Sequence, residues 1–127
     1  MGRKPSSMKN PIECHLWQMP KLTAEDLHGC FDTLEVFDDE SHYRSCLLKC
    51  NTCGQLYYYE FHEEIDWAEG NDSAYRVYIP VETQDEVKML LNSRGHGLRE
   101  FSPRLVYSWP SDRGGAEVYW VGKQESL

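Results

Sequence analysis

The sequence lacks any apolar run that approaches a length of about 20 residues, which a membrane-spanning helix needs. Its basic beginning, MGRKPSSMKNP, is not followed by an apolar stretch, so no secretory signal is evident. Five cysteines are an odd number in a chain without an export signal, which disfavours a disulfide framework and favours reduced thiols or metal ligands. We therefore expect a cytoplasmic protein without a membrane partner.

Basic residues are scarce, since 13 Lys and Arg face 21 Asp and Glu and the net charge is −8. A chain of this charge repels the phosphate backbone that supplies most nucleic-acid affinity, so we expect no nucleic-acid partner. Two acidic stretches contain neither Lys nor Arg. Their acidic residues are Asp32, Glu35, Asp38, Asp39 and Glu40 in the first stretch, and Glu60, Glu63, Glu64, Asp66, Glu69 and Asp72 in the second.

The length and composition are those of one folded domain. A chain of 127 residues can bury a single core, and 13% aromatic residues is too many for a disordered chain. Residues 1–11 contain two prolines and two serines and show no hydrophobic period. We therefore expect a flexible basic tail over 1–11 and a single domain over 12–127.

Five segments are rich in β-branched and aromatic residues and are predicted to be strands: HYRSCLLKC, QLYYYEFHEEI, SAYRVYIPVE, RLVYSW and AEVYWVG. A helix is predicted after Thr23, because Leu27, Cys30, Phe31 and Leu34 recur at helical spacing. A second helix is predicted after Thr83, which forms a capping box with Glu86. Together these elements predict an α+β fold, with a mainly antiparallel sheet of about five strands and two helices on one face.

The stretch Cys50-Asn51-Thr52-Cys53-Gly54 contains two cysteines separated by two residues, with a glycine after the second. It resembles one knuckle of a zinc ribbon or rubredoxin site. The resemblance implies a β-hairpin tip at which both sulfurs face one metal ion, most simply zinc. A tetrahedral zinc takes four ligands, and no cysteine follows Cys53, so the remaining ligands must come from elsewhere in the chain.

The pairing of the two flanking strands limits which residues can complete the site. The sequence predicts Leu48 opposite Leu56, Arg44 opposite Glu60 and His42 opposite His62. At about 3.3 Å per residue, Cys46 then lies about 13 Å from Cys50 and cannot share its metal. The candidates that remain are Cys14, His15, His28, Cys30 and His96, and we expect the metal ligands to be Cys50, Cys53 and Cys14, with either Cys30 or His15.

Three other interpretations of the cysteines stay open at this point. The spacing Cys46-x-x-x-Cys50-x-x-Cys53 resembles the cluster motif of radical-SAM enzymes, although this chain is short for their large barrel. A thioredoxin-like redox pair needs its first cysteine at a helix N-terminus, whereas strand-like sequence follows Cys53. The third alternative is a plain hairpin turn with unligated thiols.

The predicted register also brings Glu40 next to Glu64, so that the two acidic stretches become neighbours. Such a concentration of negative charge predicts a face for a basic protein partner, formed by Glu40, Glu63, Glu64 and Asp66. We therefore expect a non-catalytic interaction protein with a structural zinc. Small acidic immunity proteins that neutralise a basic toxin or nuclease are one class with this size and charge.

The alternative function is that of a metal-dependent hydrolase, with His42, His62, Glu40 and Glu64 as ligands at the open end of the hairpin. Other catalytic signatures are missing, since the sequence has no G-x-S-x-G elbow, P-loop or H-E-x-x-H motif.

Overall fold

A computed structural model describes residues 7–64, 68, 73–109 and 116–123, and six strands lie within these ranges. The strands form one antiparallel sheet in which each pairs with its neighbours in the sequence. They are β1 (Phe31–Glu40), β2 (Tyr43–Cys50), β3 (Leu56–Glu64), β4 (Ser73–Val81), β5 (Arg104–Trp109) and β6 (Glu117–Val121). The predicted α+β class with a mainly antiparallel sheet is confirmed, but the sheet has six strands and not five.

Within the same described ranges, three short α-helices and one 3-10 helix accompany the sheet. They are α1 (His15–Gln18), α2 (Ala24–Leu27), α3 (Gln84–Leu91) and the 3-10 helix Gly95–Glu100. Among the described helices, none has the length and apolar character to cross a membrane. Residues 1–6 of the predicted tail lie outside the described residues, whereas Met8 is buried and its N–H donates to the carbonyl of Ser102 at 2.9 Å.

The additional strand, β1, replaces most of the helix predicted after Thr23. The N-terminus of that helix is correct, because the Asp26 carboxylate accepts from the N–H and hydroxyl of Thr23 at 2.7 and 3.0 Å. The helix ends at Leu27, and Gly29 follows with a φ of 70°. Phe31 then begins β1, where its ring packs against those of Tyr57 and Tyr78. Pairing with β2 thus overrides the helical spacing of the apolar residues.

Both faces of the sheet are covered, which corrects the prediction of helices on one face. The adjacent Tyr57 and Tyr58 are both 0% exposed and point to opposite faces, since side chains alternate along a strand. On the face that we call the α3 face, Tyr58 packs in one cluster with Val87 and Leu90. On the opposite face, the N-terminal face, Tyr57 packs with residues of the segment that contains α1 and α2: Cys14, Leu16, Leu22 and Leu27.

The register of the β2–β3 hairpin differs by one residue from the predicted register. Leu48 lies opposite Tyr57, Ser45 opposite Glu60 and Tyr43 opposite His62. The cause is the hairpin loop, which has four residues, Asn51 to Gly54, because Cys50 N–H donates to the Gln55 carbonyl at 2.8 Å. Such a slip moves every side chain of one strand to the other face.

This slip changes the cross-strand partner of Glu60, which the sequence places opposite Arg44. Glu60 is 0% exposed on the α3 face. Its carboxylate accepts hydrogen bonds from the hydroxyls of Tyr58 at 2.7 Å and Tyr43 at 2.9 Å. His62 Nε2 lies 2.7 Å from the same carboxylate. These contacts compensate the cost of burying a carboxylate.

The predicted helix after Thr83 is confirmed as α3. The Thr83 hydroxyl accepts from the Glu86 N–H at 3.2 Å. The Glu86 carboxylate reaches back to the N–H of Glu82 at 2.6 Å, one residue before the predicted Thr83 N–H.

Replacing Thr83 with Ala removes the hydroxyl oxygen that caps α3. We expect the free energy of unfolding to fall by about 1 kcal/mol, as is typical for the loss of an N-cap. Chemical denaturation measures the change, and Thr83→Ser, which keeps the acceptor, is the control. An equal loss in both variants would contradict a capping role for the hydroxyl.

Candidate metal centre

Cys50 and Cys53 lie at the tip of the β2–β3 hairpin, as the sequence predicts. Cys50 is the last residue of β2, and Cys53 lies in the loop before Gly54. Gly54 has a φ of 86°, and its N–H donates to the Cys50 carbonyl at 2.8 Å. This left-handed residue turns the chain back toward β3 and leaves both cysteine side chains on the tip.

Cys14 reaches the same tip from the other end of the chain. The sulfurs of Cys14, Cys50 and Cys53 all lie within 4.8 Å of one another. Cys14 and Cys50 are fully buried, whereas Cys53 is exposed. The hydroxyl of Tyr57 donates to the Cys14 sulfur at 3.1 Å. The group therefore has a buried side and a side open to solvent.

The sheet holds Cys14 in place through the residues that follow it. Leu16 is fully buried, and its carbonyl accepts from the indole N–H of Trp120 at 3.0 Å. Trp17 packs edge to face on the Trp120 ring, with centroids 4.8 Å apart, and its carbonyl accepts from the Lys123 ammonium. Strand β6 thus anchors α1 on the N-terminal face and fixes the position of Cys14 over the hairpin tip.

Two other predicted ligands, Cys30 and His15, lie beside the group of three sulfurs. The thiol of Cys30 donates to the Asp26 carbonyl at 2.8 Å, and its sulfur lies 3.9 Å from His15 Nε2. His15 Nδ1 lies 3.9 Å from the Cys50 sulfur. The imidazole therefore stands between Cys50 and Cys30. Cys46 is buried but is not a member of the group.

Of the remaining two candidates, His28 is not a member of the group. His28 is exposed, and nothing in the structure describes the side chain of His96.

The two buried sulfurs of the group differ in acidity. Burial favours the neutral form of the Cys50 thiol, but hydrogen bonds from the backbone N–H groups of Cys53 and Thr52 outweigh it and lower the Cys50 pKa below its ordinary value. Burial raises the pKa of Cys14 to about 12, and the negative charge of Cys50 adds to this effect. N–H groups directed at the first sulfur of a C-x-x-C-G turn stabilise a thiolate, which is the form that binds metal.

The predicted His and Glu site does not converge in the described residues. His42 Nδ1 pairs with Glu63 at 3.2 Å, whereas His62 pairs with the buried Glu60. Within residues 7–64, 68, 73–109 and 116–123, the three cysteines are the only group of three or more Cys, His, Asp or Glu whose ligand atoms lie within 4.8 Å of one another.

Three of the four predicted partner-binding residues, Glu40, Glu63 and Glu64, lie near one end of the sheet. Glu40 ends β1 opposite Tyr43, and Tyr43 lies opposite His62 on β3. The N–H of Glu63 donates to the carbonyl of His42 at 3.0 Å, in the turn that follows Glu40. Glu64 ends β3, and Asp66 lies outside the described residues.

No family model, curated protein or solved structure matches this chain. The argument for a metal ion therefore depends on the chemistry of the three cysteine sulfurs. Zinc binds cysteine sulfurs at about 2.3 Å, which places two sulfurs of a tetrahedral site about 3.8 Å apart. Three sulfurs within 4.8 Å of one another are close to this arrangement. The three cysteines could therefore hold a metal ion.

Gly54 provides a test of the turn geometry on which the group depends. Replacing it with Ala puts an L side chain into the left-handed region, at a cost of about 1–2 kcal/mol. No atom except those of its chain neighbours lies within 4 Å of the position that a Cβ would take, so the cost is one of backbone conformation. Denaturation in a metal chelator measures it, and Gly54→Asn should lose less stability because Asn tolerates this region better. A larger loss of stability for Gly54→Asn than for Gly54→Ala would contradict the left-handed conformation of residue 54.

Proposed function

We propose that this protein binds one zinc ion through Cys14, Cys50 and Cys53, and that the zinc is structural. The observation that carries this proposal is the convergence of three sulfurs from two distant parts of the chain to within 4.8 Å. Such a metal would link the segment before α1 to the tip of the β2–β3 hairpin. Because no such link exists in the unfolded chain, the free energy of zinc binding would contribute directly to folding. A reducing compartment such as the cytoplasm would keep the thiols available to the metal.

The electrostatics of the three cysteines support a cation at this place. The negative charge of Cys50 raises the pKa of Cys14, so that thiolates in this group repel one another. A divalent cation removes that repulsion and favours the deprotonated form of each sulfur.

We propose further that the protein is a non-catalytic interaction module, with a basic protein as its partner. The acidic end, which we define as Glu40, Glu63 and Glu64, joins the acidic edge strand β1. Asp32, Glu35 and Glu40 are exposed and make no ion pair with another described residue, unlike Asp38 and Asp39, which pair with Arg94 and Arg44. A basic surface would find uncompensated negative charge here.

Exposed apolar residues on the same strand add contact area to this charge. Leu34 is 51% exposed and Val36 is 44% exposed, both on β1 between the acidic residues. Charge directs the association of two proteins, and apolar contact supplies much of the affinity. An inhibitor of a basic toxin or nuclease is the class of protein that combines these features, by analogy of size and charge.

The structural role of zinc can be tested by comparing two buried cysteines. Zinc should increase the free energy of unfolding of the wild type by more than about 3 kcal/mol relative to the chelated protein. Cys50→Ser should abolish this increment because it removes a ligand. Cys46→Ser, the control, changes a buried thiol outside the group and should keep the increment. Denaturation with and without zinc measures both, and an increment of zero in the wild type would refute the proposal.

The partner-binding role can be tested by removing charge at two places. Glu40→Gln, Glu63→Gln and Glu64→Gln in one variant should lose a basic partner that the wild type captures from the source cell. The control variant removes the same charge at the exposed residues Glu25, Glu100 and Glu117. Capture by the wild type should also weaken with salt, since the Debye length falls from about 10 Å at 0.1 M to about 3 Å at 1 M. Equal capture by both variants would contradict the role of the acidic end.

A further inference from the structure

We propose that His15 is the fourth zinc ligand, through Nδ1, and that Cys30 orients its imidazole ring. This inference rests on the proposed zinc site of the three cysteines. His15 follows the ligand Cys14 directly in the chain and is half-buried at the start of α1. Its Nδ1 lies 3.9 Å from the Cys50 sulfur. The nitrogen and sulfur ligands of one tetrahedral zinc are about 3.6 Å apart, so this separation is close to that of two ligands.

The other ring nitrogen has a partner that is compatible with the required tautomer. Nε2 lies 3.9 Å from the Cys30 sulfur, and the Cys30 thiol donates to the Asp26 carbonyl at 2.8 Å. The hydrogen bonds can therefore run in one direction, from Nε2–H to the Cys30 sulfur and from the Cys30 thiol to the carbonyl. This direction leaves the lone pair of Nδ1 for the metal. A histidine that binds zinc usually donates its second N–H to such a partner.

The same contacts separate the two ligands between which the sequence leaves a choice. Cys30 stands on the far side of the imidazole from Cys50, and its thiol hydrogen is engaged with the Asp26 carbonyl. His15 lies on the side of Cys50, with Nδ1 3.9 Å from its sulfur, although it is not a member of the group whose ligand atoms all lie within 4.8 Å of one another. Binding therefore requires the imidazole to turn toward the sulfurs of Cys14 and Cys53, through rotation about its side-chain torsions.

The identity of the fourth ligand decides what the metal can do. Cys14 and Cys53 also border a cavity of about 310 Å³ that is lined by Glu13, Gln55 and Glu82 but not by His15. A water ligand from that cavity would give the open position that catalytic zinc sites keep. A histidine ligand closes the site, as in structural zinc sites. His15 as fourth ligand is therefore what makes this zinc structural.

X-ray absorption of the zinc-loaded full chain tests the inference. The wild type should show three sulfurs and one imidazole nitrogen. His15→Gln should keep three sulfurs and lose the imidazole signal, and His28→Gln, a change at an exposed histidine, should alter nothing. Cys30→Ala should keep the same ligands but bind zinc about 10 to 100-fold more weakly, as is typical when the partner of a ligating histidine is lost.

Three results would overturn the role of His15 without affecting zinc binding itself. They are four sulfurs that fall to three in Cys30→Ala, an oxygen ligand in the wild type, and an imidazole signal that persists in His15→Gln. If His15→Gln does not fold, His15→Cys gives the same answer, because a cysteine that faces the metal should produce four sulfurs. An unaltered spectrum in His15→Cys would contradict the inference. A wild type that binds no zinc would instead refute the proposed function.

Discussion

The sheet is apolar on both faces along its central strands, and other parts of the chain must therefore cover both. Tyr57 and Tyr58 show the constraint most directly, because they are adjacent in β3, point in opposite directions and are both fully buried. Helix α3 covers Tyr58. The segment with α1 and α2 covers Tyr57, and in doing so it brings Cys14 onto the hairpin tip.

Helix α3 and the segment that contains α1 and α2 differ in how stable their helices are without tertiary contacts. Helix α3 has eight residues and a capped N-terminus, whereas α1 and α2 have four residues each. Helices this short do not form on their own, so tertiary contacts must hold them in place. Trp120 supplies one such contact through the Leu16 carbonyl. A metal that links Cys14 to Cys50 and Cys53 would supply another. It would act just before Leu16 and Trp17, the two residues that Trp120 and Lys123 contact.

Much of this fold can be read from the sequence where local signals agree with the tertiary structure. Five strands, the cap of α3 and the turn at Cys50 to Gly54 are such cases. The prediction of a helix where β1 lies was wrong. The apolar residues after Leu27 have helical spacing, but their pairing with β2 decides their conformation. The sequence also missed the register of the hairpin, which depends on whether the loop holds three or four residues. That register gives the buried Glu60 the neighbours Ser45 and Tyr43 in place of Arg44, and a glutamate within a run of tyrosines is the signal that points to its burial.

The group of three cysteines was predictable to a similar extent. Spacing alone identifies Cys50 and Cys53 as a pair, and elimination by distance along the strand removes Cys46. The sequence also names Cys14, but it cannot choose between His15 and Cys30. That choice depends on the path of the chain around Gly29, which places Cys30 behind the imidazole of His15 and away from the sulfurs. Predicting the acidic end likewise requires the order of the strands in the sheet. Glu40 is on β1 and Glu63 and Glu64 are on β3, and these two strands flank β2.

The central claim is that a zinc ion joins Cys14 to the hairpin tip, and native mass spectrometry tests it most directly. Protein purified without added metal is weighed under native conditions, and then again after unfolding in the presence of a thiol-alkylating reagent. The account predicts one zinc per chain, and it predicts that Cys14, Cys50 and Cys53 become alkylated only when the zinc is lost. Protein that carries no metal, takes up none when zinc is supplied and has a freely reactive Cys53 would contradict it.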